Sequence, residues 1–199
     1  MKRLYILLML LSFTCLIAGN TFAVTLSYEP SAQSISLGDP ASIDLNISGL
    51  GDFAAPSLGA FLVEVTFDDS VLAFNSVTYG PFLGDPLDPL ETDIMTTAAP
   101  GMVSLDEFSF LFDFELDALQ PDSFTLASLS FTGDNVGVSN LGFGLIDLSD
   151  AVGSTIVDPL LEPGSIRVSP AQAPEPSILF LLVSGMAGFA FWSRRQGSR

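Results

Sequence analysis

The chain has no histidine, one cysteine, one tryptophan and six basic residues against 23 acidic ones. Without histidine there is no Ser-His-Asp triad and no histidine-ligated zinc. The one cysteine, Cys15, lies in the N-terminal apolar run, so the body after it has no thiolate nucleophile, no Cys-ligated metal and no disulfide. The one lysine is Lys2. The body therefore offers no Schiff base and no Walker lysine. No glycine-rich phosphate loop stands between a strand and a helix. Most enzyme classes are removed by these absences. A carboxylate pair for glycoside hydrolysis survives them, but nothing in the pattern singles one out.

Charge is as lopsided as composition. All acids but Glu175 fall between Val24 and Ala173, where the one basic residue is Arg167; 22 acids against one arginine give a net charge near −21. That field repels nucleic acid and anionic lipid surfaces and strains the compact state by self-repulsion, which salt or divalent cations relieve. The clusters Asp68-Asp69, Asp85 with Asp88, and Asp113, Glu115 and Asp117 are the candidate calcium ligands. No Asp-x-Asp-x-Asp-Gly loop supports them, and their plainer role is as turn residues and solvated faces. No cofactor is implied.

Long apolar runs occur only at the two ends. Lys2-Arg3 precedes an apolar stretch from Leu4 to Ala18, and Thr21-Phe22-Ala23 offers a cleavage site. Residues 1–23 therefore read as a signal peptide. A lipidation reading of Cys15 fails on Phe13, which is bulky where a small residue is needed. At the other end, Pro170 to Pro176 reads as a linker that ends in Pro174-Glu175-Pro176. An uncharged run then extends from Ser177 to Trp192, followed by Arg194 and Arg195. At ~1.5 Å per residue the run spans roughly 24 Å, a short crossing of a ~30 Å core. A transmembrane helix is expected over 177–193. The arginines hold residues 194–199 on the cytoplasmic side as stop-transfer charges and place the body outside.

The order tripeptide, short span, basic end resembles the PEP-CTERM sorting signal of Gram-negative, exopolysaccharide-producing bacteria. The resemblance covers about the last 26 residues. It implies that Pro174, Glu175 and Pro176 are the sorting motif. The partner it implies is exosortase, a membrane transpeptidase that cuts near that motif and sends the body to the cell surface.

Across the body the period is two. Ile43, Leu45 and Ile47 alternate with polar residues, as do Phe61, Val63, Val65 and Phe67. A third alternating run, Phe108, Phe110, Phe112, Phe114 and Leu116, predicts a strand over 108–116 with its phenylalanines in the core. Shorter strands are expected at 24–28, 34–37, 72–74, 77–79, 138–146 and 165–168. In Phe124 to Phe131 the apolar parity slips, which predicts a β-bulge near Ala127-Ser128. Residues 81–95, with three prolines, read as a surface loop. About nine short antiparallel strands, punctuated by Gly38-Asp39-Pro40, Pro100-Gly101 and Gly133-Asp134-Asn135, predict an all-β sandwich over 24–169.

A second resemblance emerges within this body. The stretch Phe67-Asp68-Asp69-Ser70-Val71-Leu72-Ala73-Phe74-Asn75-Ser76-Val77 is similar to the cohesin pattern of an aromatic, Asp, a turn, Leu, Phe and Val. Gly80 and Leu83 follow as that family's Gly and closing Leu, and Ser36-Leu37-Gly38-Asp39 resembles its Gly-Asp turn. Leu126 to Phe131 and Gly164-Ser165-Ile166-Arg167-Val168 resemble two of its later strands. Asp69 departs from the proline many members have there. The resemblance implies a nine-stranded jelly-roll sandwich, related in fold to some carbohydrate-binding modules, that binds a dockerin-like protein and does no chemistry.

The combined expectation is an exported, non-enzymatic scaffold or adhesion module of the extracellular matrix. The alternative is an exopolysaccharide-binding module. Against it, the body has no tryptophan for sugar stacking, and its Tyr28, Tyr79 and most of its phenylalanines fall on core parity.

Overall fold

Alternating apolar residues make a strand only if a second layer covers one face. The computed structural model supplies that layer. It describes residues 23–171. The expected signal peptide, Pro-Glu-Pro motif, transmembrane helix and basic tail lie outside these residues, Ala23 excepted. The strands are β1 (Thr25–Glu29), β2 (Ala32–Ser36), β3 (Pro40–Ser48), β4 (Leu58–Thr66), β5 (Leu72–Tyr79) and β6 (Thr92–Ala99). They continue with β7 (Met102–Ser109), β8 (Ser123–Gly133), β9 (Gly137–Asp150), β10 (Leu160–Glu162) and β11 (Gly164–Ser169). Among the described residues one short helix, α1, covers Asp113–Leu119. The strands form a five-stranded sheet in the order β10-β1-β3-β8-β5 and a six-stranded sheet in the order β2-β11-β9-β4-β7-β6.

The core lies between the sheets. β3 buries Ala41, Ile43, Leu45 and Ile47, and β4 buries Phe61, Val63 and Val65. Tyr28 and Tyr79 are both buried, as their parity implies. The Tyr28 ring stacks on Phe143 at 4.8 Å, and its hydroxyl donates to the Gly142 carbonyl at 2.9 Å. Phe131 meets Phe67 and Phe74 edge-on. The parity slip in β8 is a register step. Leu45 pairs with Ala127 and Asn46 with Thr125, so Leu126 is the extra residue and both Leu126 and Ala127 are buried. The bulge stands one position before the expected one.

Several expectations are corrected. The strands number eleven among the described residues, not about nine. The segments 72–74 and 77–79 are one strand with a register step between Phe74 and Ser76. The loop expected over 81–95 stops at Glu91, and Thr92 to Met95 begin β6. The largest correction concerns 108–116. The alternation that governs here starts upstream: Val103 and Leu105 point inward, so Glu107 and Ser109 follow them in and Phe108 faces out. The chain leaves the sheet after Ser109. The Phe110 N–H donates to the Glu91 carbonyl, and the Glu115 carboxylate caps the Phe112 N–H at 2.9 Å, which opens α1. Leu116 is buried, on a helix rather than a strand. Phe108, Phe110, Phe112 and Phe114 are exposed, not core.

Candidate functional site

The outer face of β9-β4-β7-β6 can be read row by row from its register. One row is Asp93, Phe108, Ala60 and Ser149; the next is Met95, Asp106, Leu62 and Asp147. A third runs from Thr97 through Ser104 to Glu64, whose carboxylate accepts from the Leu145 N–H at 2.9 Å. Phe108 is 50 % exposed, Met95 61 % and Leu145 57 %. Asp93 and Asp147 are exposed and Glu64 and Asp106 half-buried. A depression of about 310 Å³, lined by Ala60, Leu62, Asp106, Phe108, Asp147 and Ser149, marks its middle. Burial and the neighbouring Asp93 carboxylate raise the pKa of Asp106 above the usual carboxylate range. The face is thus an apolar patch set among acids with no cation on these four strands. It suits a partner that brings apolar side chains together with lysine or arginine.

The candidate calcium clusters are already engaged by the chain itself. Asp68 accepts from the N–H and hydroxyl of Ser70. Asp85 accepts from the Leu87 N–H and Asp88 from the Leu90 N–H, each closing a turn. Asp113 accepts from the Phe114 N–H, Glu115 from that of Phe112, and Asp117 from the Ser57 hydroxyl at 2.6 Å. Among the described residues no three acidic, histidine or cysteine side chains converge as a metal site.

Two further features were not foreseen. The exposed phenylalanines form two pairs: Phe108 and Phe110 meet edge-on at 5.4 Å, and Phe112 and Phe114 stack at 5.6 Å with ring planes 9° apart. Two buried polar side chains are the second feature. The Gln120 side chain donates to the carbonyls of Leu58 and Phe82 and accepts from the Leu58 N–H at 2.7 Å. Glu107 is fully buried, with neither carboxylate oxygen hydrogen-bonded. Alternation carried forward from Val103 puts Glu107 inward and alternation carried back from Leu116 puts it outward, and the pairing of β7 with β4 and β6 chooses the first.

Comparisons with known proteins bear on both parts of the chain. Residues 172–195 match the PEP-CTERM protein-sorting motif, a span that contains Pro174, Glu175, Pro176, Arg194 and Arg195. No curated protein matches the chain. Among solved structures, the seventh ScaB type I cohesin from Pseudobacteroides cellulosolvens superposes with a TM-score of 0.60 at 16% identity, covering 77% of this chain and 96% of that one. The cohesin CaCohA2 from Clostridium acetobutylicum gives 0.58 at 23% identity over 76% and 94%. A non-cellulosomal cohesin from the archaeon Archaeoglobus fulgidus gives 0.56 at 13% identity over 74% and 91%. At these identities the likeness is one of fold. The chain carries a cohesin-like β-sandwich followed by a PEP-CTERM sorting motif.

Proposed function

We propose that this protein is an exported, surface-sorted, non-enzymatic binding module that serves as a scaffold or adhesion element of the extracellular matrix. An exosortase-like transpeptidase reads Pro174-Glu175-Pro176, while Arg194 and Arg195 hold the tail on the cytoplasmic side until processing. The observation that carries the binding reading is the apolar and acidic outer face of β9-β4-β7-β6, on a sandwich of cohesin-like fold. Its partner is a protein surface of opposite charge, of which a dockerin-like module is one form. Pull-downs from matrix fractions with the wild type and with Phe108→Asp or Leu145→Asp test the face. A partner retained by the wild type and lost by both variants supports the reading; equal capture by all three refutes it. For sorting, Pro174-Glu175-Pro176 is replaced by alanines, and the mature mass and surface location are followed. Unchanged processing removes the sorting role.

The stacked Phe112 and Phe114 rings favour a second reading, binding of an exopolysaccharide. A saturable glycan-array signal lost in Phe112→Ser with Phe114→Ser would support it over the protein partner.

A further inference from the structure

Each sheet ends in two edge strands, and three of the four are short or interrupted. β10 has three residues and β2 five. β5 carries a register step beside Asn75, whose amide donates to the Ser130 and Thr132 hydroxyls of its neighbour. β6 has none of these features. It runs for eight residues, pairs with β7 in unbroken register, and all but Thr92 are exposed. Its sequence Thr-Asp-Ile-Met-Thr-Thr-Ala-Ala holds no proline, glycine or lysine. Proline, lysine and other charged side chains, along with bulges, are the usual means of blunting an edge, and of these β6 carries one charge, Asp93.

The hairpin settles which backbone groups face outward. The two-residue turn Pro100-Gly101 closes on the pair Ala99 and Met102. Antiparallel alternation then turns the odd-numbered residues toward β7. The N–H and C=O groups of Ile94, Thr96 and Ala98 face away from the sheet. Among the described residues, no loop or turn backbone bond reaches them. Tyr79 of β5 braces the edge from the core side. The Asp106 N–H donates to its hydroxyl at 3.3 Å, and that hydroxyl donates to the Met95 carbonyl at 2.8 Å.

We propose that β6 is a docking edge for an extended, cationic segment of another protein, which adds to the six-stranded sheet as a seventh strand. Main-chain bonds to Ile94, Thr96 and Ala98 supply the pairing. Asp93 on the edge and Asp106 beside it, two like charges in one neighbourhood, supply the preference for lysine or arginine. A second copy of this chain is disfavoured as occupant, because each body brings 22 acids against one arginine. The inference goes beyond the outer-face reading and does not depend on which module that face takes.

The test uses full-length protein in neutral detergent and three fluorescent octapeptides. One alternates valine with lysine, one alternates valine with glutamate, and one is the lysine peptide N-methylated at every second residue. The lysine peptide is expected to bind saturably and more weakly as salt rises. The glutamate and N-methylated peptides are expected to bind at least ~10-fold more weakly, each lacking one of the two sources of affinity. Hydrogen exchange at Ile94, Thr96 and Ala98 slows in the complex, and Ala98→Pro, which removes one outward N–H, weakens binding to a similar degree. Equal affinity of the methylated and unmethylated peptides would overturn the proposal, whether or not the proline variant folds. So would protection of β6 in peptide-free protein that sediments as a dimer.

Discussion

Glu107 makes the stability of this domain depend on pH in a direction opposite to that of most acidic residues. The side chain is 0 % exposed, in register with Phe61 on β4 and Ile94 on β6, and neither oxygen has a hydrogen-bond partner. Burial pushes its carboxyl up from 4.5 to about 8. In the unfolded chain the group ionises near 4.5, whereas in the folded protein it keeps its proton to about pH 8. Between those values the unfolded state has released a proton that the folded state still holds. Raising the pH therefore drains stability, which is fullest below pH 4.5 and stops falling above pH 8. At ~1.4 kcal/mol per pH unit the whole shift amounts to roughly 5 kcal/mol, of which about 4 falls between pH 5 and 9. The chain has no histidine, and its one cysteine precedes the domain. Asp106, also raised by burial, contributes with the same sign. Urea unfolding of the wild type and Glu107→Gln, followed by circular dichroism at pH 5, 7 and 9, isolates the Glu107 share. The wild type should lose about 4 kcal/mol more than the variant across that range. Parallel profiles would refute the account of a buried, unpaired carboxyl. Glu107→Met, which removes the polar group altogether, should exceed the wild type in stability above pH 7.

Three other outcomes follow from the same geometry. Gln120→Ala removes a three-bond clip that ties the start of β4 to Phe82, and should cost about 3 kcal/mol in urea unfolding. Tyr79→Phe takes away the hydroxyl between Asp106 and Met95; it should cost about 1 kcal/mol and speed hydrogen exchange of the β6 and β7 amides selectively. Phe112→Ser should change stability by less than about 0.5 kcal/mol, because the ring is 67 % exposed. A loss of about 3 kcal/mol or more would mean that it is packed in the core after all.

The amino-acid sequence by itself determined the class of this domain and much of its layout. Strict alternation in Ala41–Ser48 and Phe61–Phe67 admits only half-buried strands, and the parity slip from Phe124 and Leu126 to Leu129 and Phe131 placed a bulge within one residue of its position. The absence of histidine, and of cysteine and lysine from the body, needed no coordinates to exclude whole chemistries. The order of Pro174-Glu175-Pro176, apolar run and arginines was legible as a linear signal. What only the tertiary structure decided is which of two alternating sets faces inward. A period of two has two phases, and the pairing of β7 with β4 and β6 chooses between them. That choice buried Glu107 and turned Phe108 outward. The edge strand β6 left no pattern, because a strand exposed on both sides needs no alternation. The helix over Asp113–Leu119 was hidden for a related reason. Its seven residues follow from the Glu115 cap and the burial of Leu116 against a neighbouring element, and tertiary contact of that kind outweighs the local alternation of phenylalanines.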